Sequence, residues 1–427
     1  SASAPPSRGA ADAKGHMAST SKSQMSTQTM LAGAVAVGAV GGLLLGRNKR
    51  LQGTISGLFG GSSAAPAGNR SVEDLVRENI KTLTPYRCAR DDYEEGVLLD
   101  ANENSIGATV AKPPDTRELN RYPCPYQWEL KALIAKHRKI AKEQIFLGVG
   151  SDEAIDMMMR IFCVPREDTI VITPPTYGMY GVCAKVNDVE VIKSPLDPLF
   201  DVNLESLFAD LRPSTKLMFL CSPGNPTAKS IPLATVEAVL NDPRYDGMVV
   251  VDEAYVDFST VPSACCLVDK YPKLIVLQTL SKAFGLAGIR LGMAISQEST
   301  IQYFNNVKAP YSVNKLTAEM AVDAFNNLPL LEANIKTILD ERTRVAAALE
   351  GLPYVSKVHH SDTNFLLFVI PKAKELYKTM AEAGVVTRYR GTEMHCDGCI
   401  RVTIGTASEN DAFLALLQKT AKDFGVC

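Results

Sequence analysis

The stretch Leu277-Gln-Thr-Leu-Ser-Lys-Ala-Phe-Gly-Leu-Ala-Gly-Ile-Arg290 places a lysine, Lys282, just after an apolar strand-like run. Thr279 and Ser281 flank the lysine, and Arg290 follows eight positions later. A desolvated lysine near other positive charge has a lowered pKa and can add to an aldehyde. Hydroxyls and a guanidinium hold phosphate through charge-assisted hydrogen bonds. Taken alone, a lysine at a strand end is ordinary surface solvation; its neighbours make it a candidate for an aldehyde-and-phosphate site.

Working outward, Val249-Val-Val-Asp-Glu-Ala-Tyr-Val256 carries Asp252 at the end of an apolar run, where a buried carboxylate is costly without a cationic partner. A protonated pyridine nitrogen would be such a partner, and Tyr255 lies close enough in sequence to reach a hydroxyl on the same ring. The alternative, a metal-binding Asp252-Glu253 pair, lacks spaced His or Cys partners. In Ser222-Pro-Gly-Asn-Pro-Thr227 two prolines stiffen a strand-end turn around Asn225, a second group for the ring hydroxyl. Gly148-Val-Gly-Ser-Asp-Glu-Ala154 reads as a glycine-rich strand end entering a helix, exposing the amides of Ser151 and Asp152 to an anion; a plain helix cap explains it equally well.

Short apolar runs at Ile145–Val149, Thr169–Ile172, Val189–Ile192, Lys216–Cys221, Met248–Val251, Leu274–Gln278 and Leu291–Ile295 predict buried strands. Helical stretches such as Asp152–Phe162 and Pro232–Asn241 lie between some of them. The pattern predicts an α/β fold with a mostly parallel sheet covered on both faces. Beyond Ala318 the helical pattern lengthens through Leu330–Leu352, and Asn364–Val369 and Cys399–Ile404 predict strands of a second, smaller domain. A helix is expected from Ser71-Val-Glu-Asp74 towards Ile80. Phe284, Leu286 and Leu291 are expected in the core.

With 427 residues the chain suits a large domain with a smaller companion. Lys plus Arg total 45 against 47 Asp plus Glu, so there is no general attraction for nucleic acid. The ten cysteines are scattered through apolar stretches, as reduced thiols in a cytoplasmic protein would be, and no structural disulfide is expected. Residues 1–70 differ in composition, being rich in Ser, Ala and Gly, and Gly15-His16-Met17 resembles a cloning scar. Met30 to Gly46 is an uncharged run followed by Arg47, Lys49 and Arg50, which admits a membrane contact or targeting role. It falls short of the roughly 20 residues a membrane span needs, and a flexible tail is the alternative. His395-Cys396-Asp397-Gly398-Cys399 has half the spacing of a zinc site without the other half, so a surface loop is expected and no metal. His359-His360 is expected to be solvated.

These elements, in this order, resemble the fold type I pyridoxal-phosphate-dependent aminotransferases from about Val72 to Val426. Pro174-Pro-Thr-Tyr-Gly-Met-Tyr180 is similar to the family segment whose first tyrosine, here Tyr177, stacks on the cofactor ring. Within the family the chain most resembles histidinol-phosphate aminotransferases, through Leu83-Thr-Pro-Tyr86, Leu99-Asp-Ala-Asn-Glu-Asn104, Arg121-Tyr-Pro123 and the pair Arg388 and Arg401. The resemblance implies pyridoxal 5′-phosphate bound to the catalytic Lys282, with Asp252, Tyr255 and Asn225 addressing its ring. It also implies Ser151, Asp152, Thr279, Ser281 and Arg290 on its phosphate, joined by Tyr122 from a neighbouring subunit of a homodimer. Tyr86, Asn104, Arg388 and Arg401 would bind the substrates, histidinol phosphate and 2-oxoglutarate or glutamate. The implied domains are an N-terminal arm with part of the small domain at 71–137, a large cofactor-binding domain at 138–325 and a small C-terminal domain at 326–427. Two departures stand out: Gly224 where many relatives have Asn, and Ala228 where many have Gly. An aromatic amino acid aminotransferase, a phospho-amino-alcohol lyase of the same fold and a non-catalytic cofactor-binding or membrane-tethered scaffold are the competing readings.

Overall fold

The computed structural model describes residues 70–85, 100–101 and 118–427, all within the unit Ser63–Cys427. Two sheets organise it. The first contains β1 (Ile145–Val149), β2 (Thr169–Ile172), β3 (Glu190–Lys193), β4 (Thr215–Cys221), β5 (Met248–Asp252), β6 (Leu274–Thr279) and β7 (Leu291–Ile295), in the order β1-β7-β6-β5-β4-β2-β3. From β6 across to β3 every pair is parallel; β7 alone runs against its neighbours. The predicted strands are all present, with ends within one residue of expectation.

The central strands are apolar at successive positions because both faces are covered. Val249 and Val251 of β5, with Leu274 and Val276 of β6, enter one core with Val236 and Val239 of the helix Leu233–Asn241. Met248, Val250, Ile275 and Leu277 enter the other, with Ile155, Met158 and Phe162 of the helix Gly150–Phe162. Phe284 and Leu286 pack against the first core and Leu291 lies within it.

The second sheet is antiparallel, in the order β10-β11-β9-β8, from β8 (Lys357–Val358), β9 (Phe365–Val369), β10 (Arg388–Tyr389) and β11 (Cys399–Thr403). The two-residue strands β8 and β10 are too short to leave an alternation in the sequence. Leu366, Phe368, Ile400 and Val402 pack against Leu376, Leu417 and Val345 of the helices Ala373–Glu382, Ala407–Asp423 and Leu328–Glu350.

Three expectations need correction, and one helix, Trp128–Arg138, was not foreseen. The helix beginning at Val72 stops at Leu75 and a new turn starts at Glu78, because Val76 is extended and the Arg77 amide bonds the Ile161 carbonyl at 3.0 Å. That break lets Leu75, Val76 and Ile80 all reach the core. The helix Trp128–Arg138 was not legible because its buried face includes Lys131 under the Trp128 ring (5.1 Å); burial pushes the Lys131 ammonium down to about 7. Cys396 and Cys399 are not on a surface loop: both are fully buried beside Leu196, Phe200 and Leu367. His359 is half-buried with its ring 5.0 Å from that of Phe200, whereas His360 is exposed.

Two further facts bear on other readings. Among the described residues no helix is long and apolar enough to cross a membrane, and the run at 30–46 lies outside them. The described cysteines are all free.

Candidate active site

Parallel strands end at one edge of a sheet, and register decides which ends meet there. Cys221 pairs with Asp252 and Asp252 with Leu277, so the ends of β4, β5 and β6 form one row. Because β7 runs the other way, its first residue joins the same edge: Thr279 pairs with Gly292, and Leu291 with Val149 of β1. The row therefore gathers Asn225, Asp252, Thr279, Ser281, Lys282, Arg290 and the helix start at Gly150–Asp152. Together they line one cavity of about 630 Å³ with Tyr177, Tyr255, Thr176, Arg388, Arg390 and Arg401.

At one end of the cavity, Thr279 Oγ1 donates to the Leu291 carbonyl (3.0 Å) and lies 2.9 Å from Ser281 Oγ. Arg290 Nη1 is 3.5 Å from Ser281 Oγ and its Nη2 is 3.7 Å from Asp152. Gly150 sits at φ +73, and a Cβ there would meet Arg290 Nη2 at 2.6 Å. A Cβ at Gly292 would meet the Ser151 amide nitrogen at 2.1 Å, so that glycine lets β7 lie against the helix start. First-turn amides, hydroxyls and a guanidinium thus face the same space.

Asp252 is 3% exposed and accepts from Tyr180 Oη (2.6 Å) and from the Ala254 amide (3.2 Å). Burial pushes its carboxyl up to about 6, against those two hydrogen bonds. Burial also holds the Tyr180 hydroxyl well above its ordinary range, so it remains a donor. Glu253 points the other way, accepting from Ser263 Oγ (2.5 Å), the Ala264 amide (2.6 Å) and Gln278 Nε2 (2.9 Å). The two acids therefore share no metal site, and among the described residues no cluster of three His, Cys, Asp or Glu side chains is placed to hold a metal ion.

Lys282 lies 5.5 Å from the centre of the Tyr255 ring. Its ammonium is lowered from the ordinary lysine range, first by burial and then by the Arg401 and Arg290 charges. Burial raises the Tyr255 phenol to about 12, so it stays protonated. Tyr255 packs edge-on against Phe365 of β9, and the Arg401 guanidinium lies 5.1 Å from that same ring. Arg401 Nη1 donates to Asn225 Oδ1 at 2.5 Å, joining the second sheet to the β4 turn. Tyr177 Oη donates to Asp152 at 3.0 Å.

Of the residues singled out from sequence, twelve share this cavity. Tyr122 does not; it is 52% exposed and its ring stacks on Tyr311 at 4.5 Å. Tyr86 and Asn104 lie outside the described residues. Two cavity residues, Thr176 and Arg390, and one buried behind it, Tyr180, are not among the residues singled out from sequence. Tyr180, the donor to Asp252, reads in sequence as one more aromatic in a helix. Thr176, whose hydroxyl is buried without a partner, gives no signal either. Arg390 is visible in sequence as an arginine two positions after Arg388, but its place on the same face follows only from the pairing of β10 with β11. The departure at Ala228 is a buried residue at φ +63 whose carbonyl accepts from the Asp362 amide (2.8 Å), so it serves the turn's contact with the second sheet. At Gly224 a Cβ would meet Thr227 Oγ1 at 2.1 Å, which excludes a larger residue with Thr227 as it stands.

The chain matches the family described as aminotransferase class I and II over residues 94–417. The histidinol-phosphate aminotransferase of Saccharomyces cerevisiae is 44% identical over 380 residues, covering 82% of this chain and 97% of the yeast protein. That of Cytophaga hutchinsonii is 40% identical over 350 residues, covering 82% of this chain and 99% of its own. Among solved structures, histidinol-phosphate aminotransferase from Sinorhizobium meliloti in complex with pyridoxal-5′-phosphate shares the fold at a TM-score of 0.66. It is 24% identical, with 76% of this chain and 90% of that one covered. The chain thus belongs to the class I and II aminotransferases and, within them, to the histidinol-phosphate aminotransferase family.

Proposed function

We propose that this cavity transfers the amino group of L-histidinol phosphate to 2-oxoglutarate, giving imidazole-acetol phosphate and L-glutamate, a step of histidine biosynthesis. The observation that carries the reading is one cavity holding a lysine of lowered pKa, a buried carboxylate and a cluster of arginines. The residues fit pyridoxal 5′-phosphate. A carboxylate buried against two neutral donors suits a protonated ring nitrogen, and Gly150 leaves the helix amides and Arg290 free to share one phosphate. Lys282 would carry the cofactor, Asp252, Tyr255 and Asn225 would address its ring, and Ser151, Asp152, Thr279, Ser281 and Arg290 its phosphate. When bound, the cofactor supplies an electron sink for the pair released from the substrate Cα.

The protein's part is proton handling and orientation. The lowered pKa of Lys282 makes its amine, when not bonded to the cofactor, available as the base that takes the substrate Cα proton and carries it across the amino nitrogen. Asp252, anchored by Tyr180, holds positive charge on the ring. Tyr255 stays protonated and donates. Arg401, braced on Asn225 and Phe365, and Arg388, its cross-strand partner, receive the anionic end of either substrate.

The exposure of Tyr122 and its absence from this cavity's lining support a homodimer in which it enters a neighbouring copy's site; sedimentation of wild type and Tyr122→Ala tests that. Free, mostly buried cysteines support a cytoplasmic setting. Amino-donor profiling tests the main reading: histidinol phosphate should give the highest kcat/KM with 2-oxoglutarate as acceptor. Faster turnover of aromatic amino acids, or loss of carbon dioxide or phosphate from the donor, would overturn it.

A further inference from the structure

The pairing of β10 with β11 sets Arg388 opposite Arg401, and the Arg390 amide donates to the Cys399 carbonyl at 2.9 Å. Residues two apart on a strand share a face, so Arg388, Arg390 and Arg401 all look the same way while Tyr389 and Ile400 enter the small-domain core. All three arginines line the cavity. Like charges so arranged repel unless an anion joins them, and the chain supplies one carboxylate nearby: Glu393 Oε1 lies 2.7 Å from Arg390 Nη1.

The three differ in what they have left to give. Arg401 spends one nitrogen on Asn225. Arg388 makes no side-chain hydrogen bond among the described residues. Arg390 is held by Glu393, yet its Nε is buried without a partner, a donor whose hydrogen bond is left unmade. Three guanidiniums against one carboxylate leave an excess of two positive charges, which matches a phosphate monoester dianion rather than a single carboxylate.

We propose that Arg390, tuned by Glu393, is a specificity-determining residue that favours a phosphate monoester over a carboxylate in this cavity, an inference that rests on the amino-donor reading above. Arg390 adds the charge and the planar fork that a dianion with three terminal oxygens can use. Glu393 screens that charge so that the singly charged end of the other substrate is still accepted and released.

The test uses the cofactor-loaded full chain, with inorganic phosphate as a competitive inhibitor beside the two amino donors. Arg390→Met should raise both the KM for histidinol phosphate and the inhibition constant of inorganic phosphate about ten-fold, falling on KM more than kcat and sparing glutamate. Glu393→Gln keeps an acceptor for Arg390 but removes the screening charge, so phosphate inhibition should tighten by about three-fold or more. Arg390→Lys keeps the pairing with Glu393 but not the fork, and should recover only part of the phosphate affinity. Visible absorbance of the bound cofactor and the thermal midpoint report whether each variant is folded and loaded; if Arg390→Met is not, Glu393→Gln decides. The proposal falls if phosphate inhibition is unmoved in both variants, or if glutamate and histidinol phosphate lose equally. Should wild type fail to turn over histidinol phosphate while phosphate inhibition still depends on Arg390, the donor reading fails and the anion site stands.

Discussion

Asp252→Asn separates the two roles a buried carboxylate plays with and without its cofactor. In the cofactor-free protein Asp252 titrates at about 6 against an ordinary value of 3.8, with burial as the largest cause. The folded state thus keeps the proton that the unfolded state has already released. Below the ordinary value both states are protonated and there is no penalty. As pH rises through the window from 3.8 to about 6 the folded state loses stability, and the loss is complete above it. At about 1.4 kcal/mol per pH decade the full penalty is about 3 kcal/mol. Asparagine carries no such charge and can still accept from Tyr180. Other carboxylates, such as Asp246 beside Arg70 and Lys273, are held below their ordinary range and act with the opposite sign, so the variant is compared with wild type at each pH. Urea denaturation of the cofactor-free proteins should show Asp252→Asn gaining under about 1 kcal/mol near pH 4 and about 3 kcal/mol near pH 8. With cofactor present the advantage should vanish and turnover should fall by at least about a hundred-fold, because the ring nitrogen has lost its anionic partner. A gap that does not change with pH, or a variant less stable than wild type near pH 8, would refute the argument.

Lys282→Ala should abolish both turnover and the visible absorbance of lysine-bound cofactor; transamination at near wild-type rate would remove the assignment. Arg388→Ala should lower kcat/KM for histidinol phosphate roughly ten- to a hundred-fold, with a smaller loss for glutamate, and equal losses would remove its phosphate role. Residues 1–69 should be dispensable for activity and assembly, measured by turnover and sedimentation, with Arg70 retained for its contact with Asp246. Arg70 bonds Asp246 through its amide (2.8 Å) and side chain, so Arg70→Ala should cost about 1 kcal/mol in denaturant titration.

The order of strands and helices, the mostly parallel sheet and the position of Lys282 were legible in the sequence because each rests on local chemistry. Apolar runs such as Leu274–Thr279 report burial on both faces, and turn residues report where they end. The charge excess of the Arg388–Arg401 region is also a local fact. What only the tertiary structure decided is what depends on register. That β7 runs antiparallel brings Arg290 to the same edge as Thr279, and nothing in Leu291–Ile295 itself encodes a direction. Tyr180 became the anchor of Asp252 only when the helix Met179–Val186 packed beside β4, and Arg390 joined Arg388 and Arg401 only through the pairing of a two-residue strand. Cys396 and Cys399, polar enough in spacing to suggest a loop or a metal site, were buried by Leu196, Phe200 and Leu367 arriving from other segments. Periodicity records which side of an element is covered; which residues of distant elements meet is set by packing, and packing is not written in any one stretch of the chain.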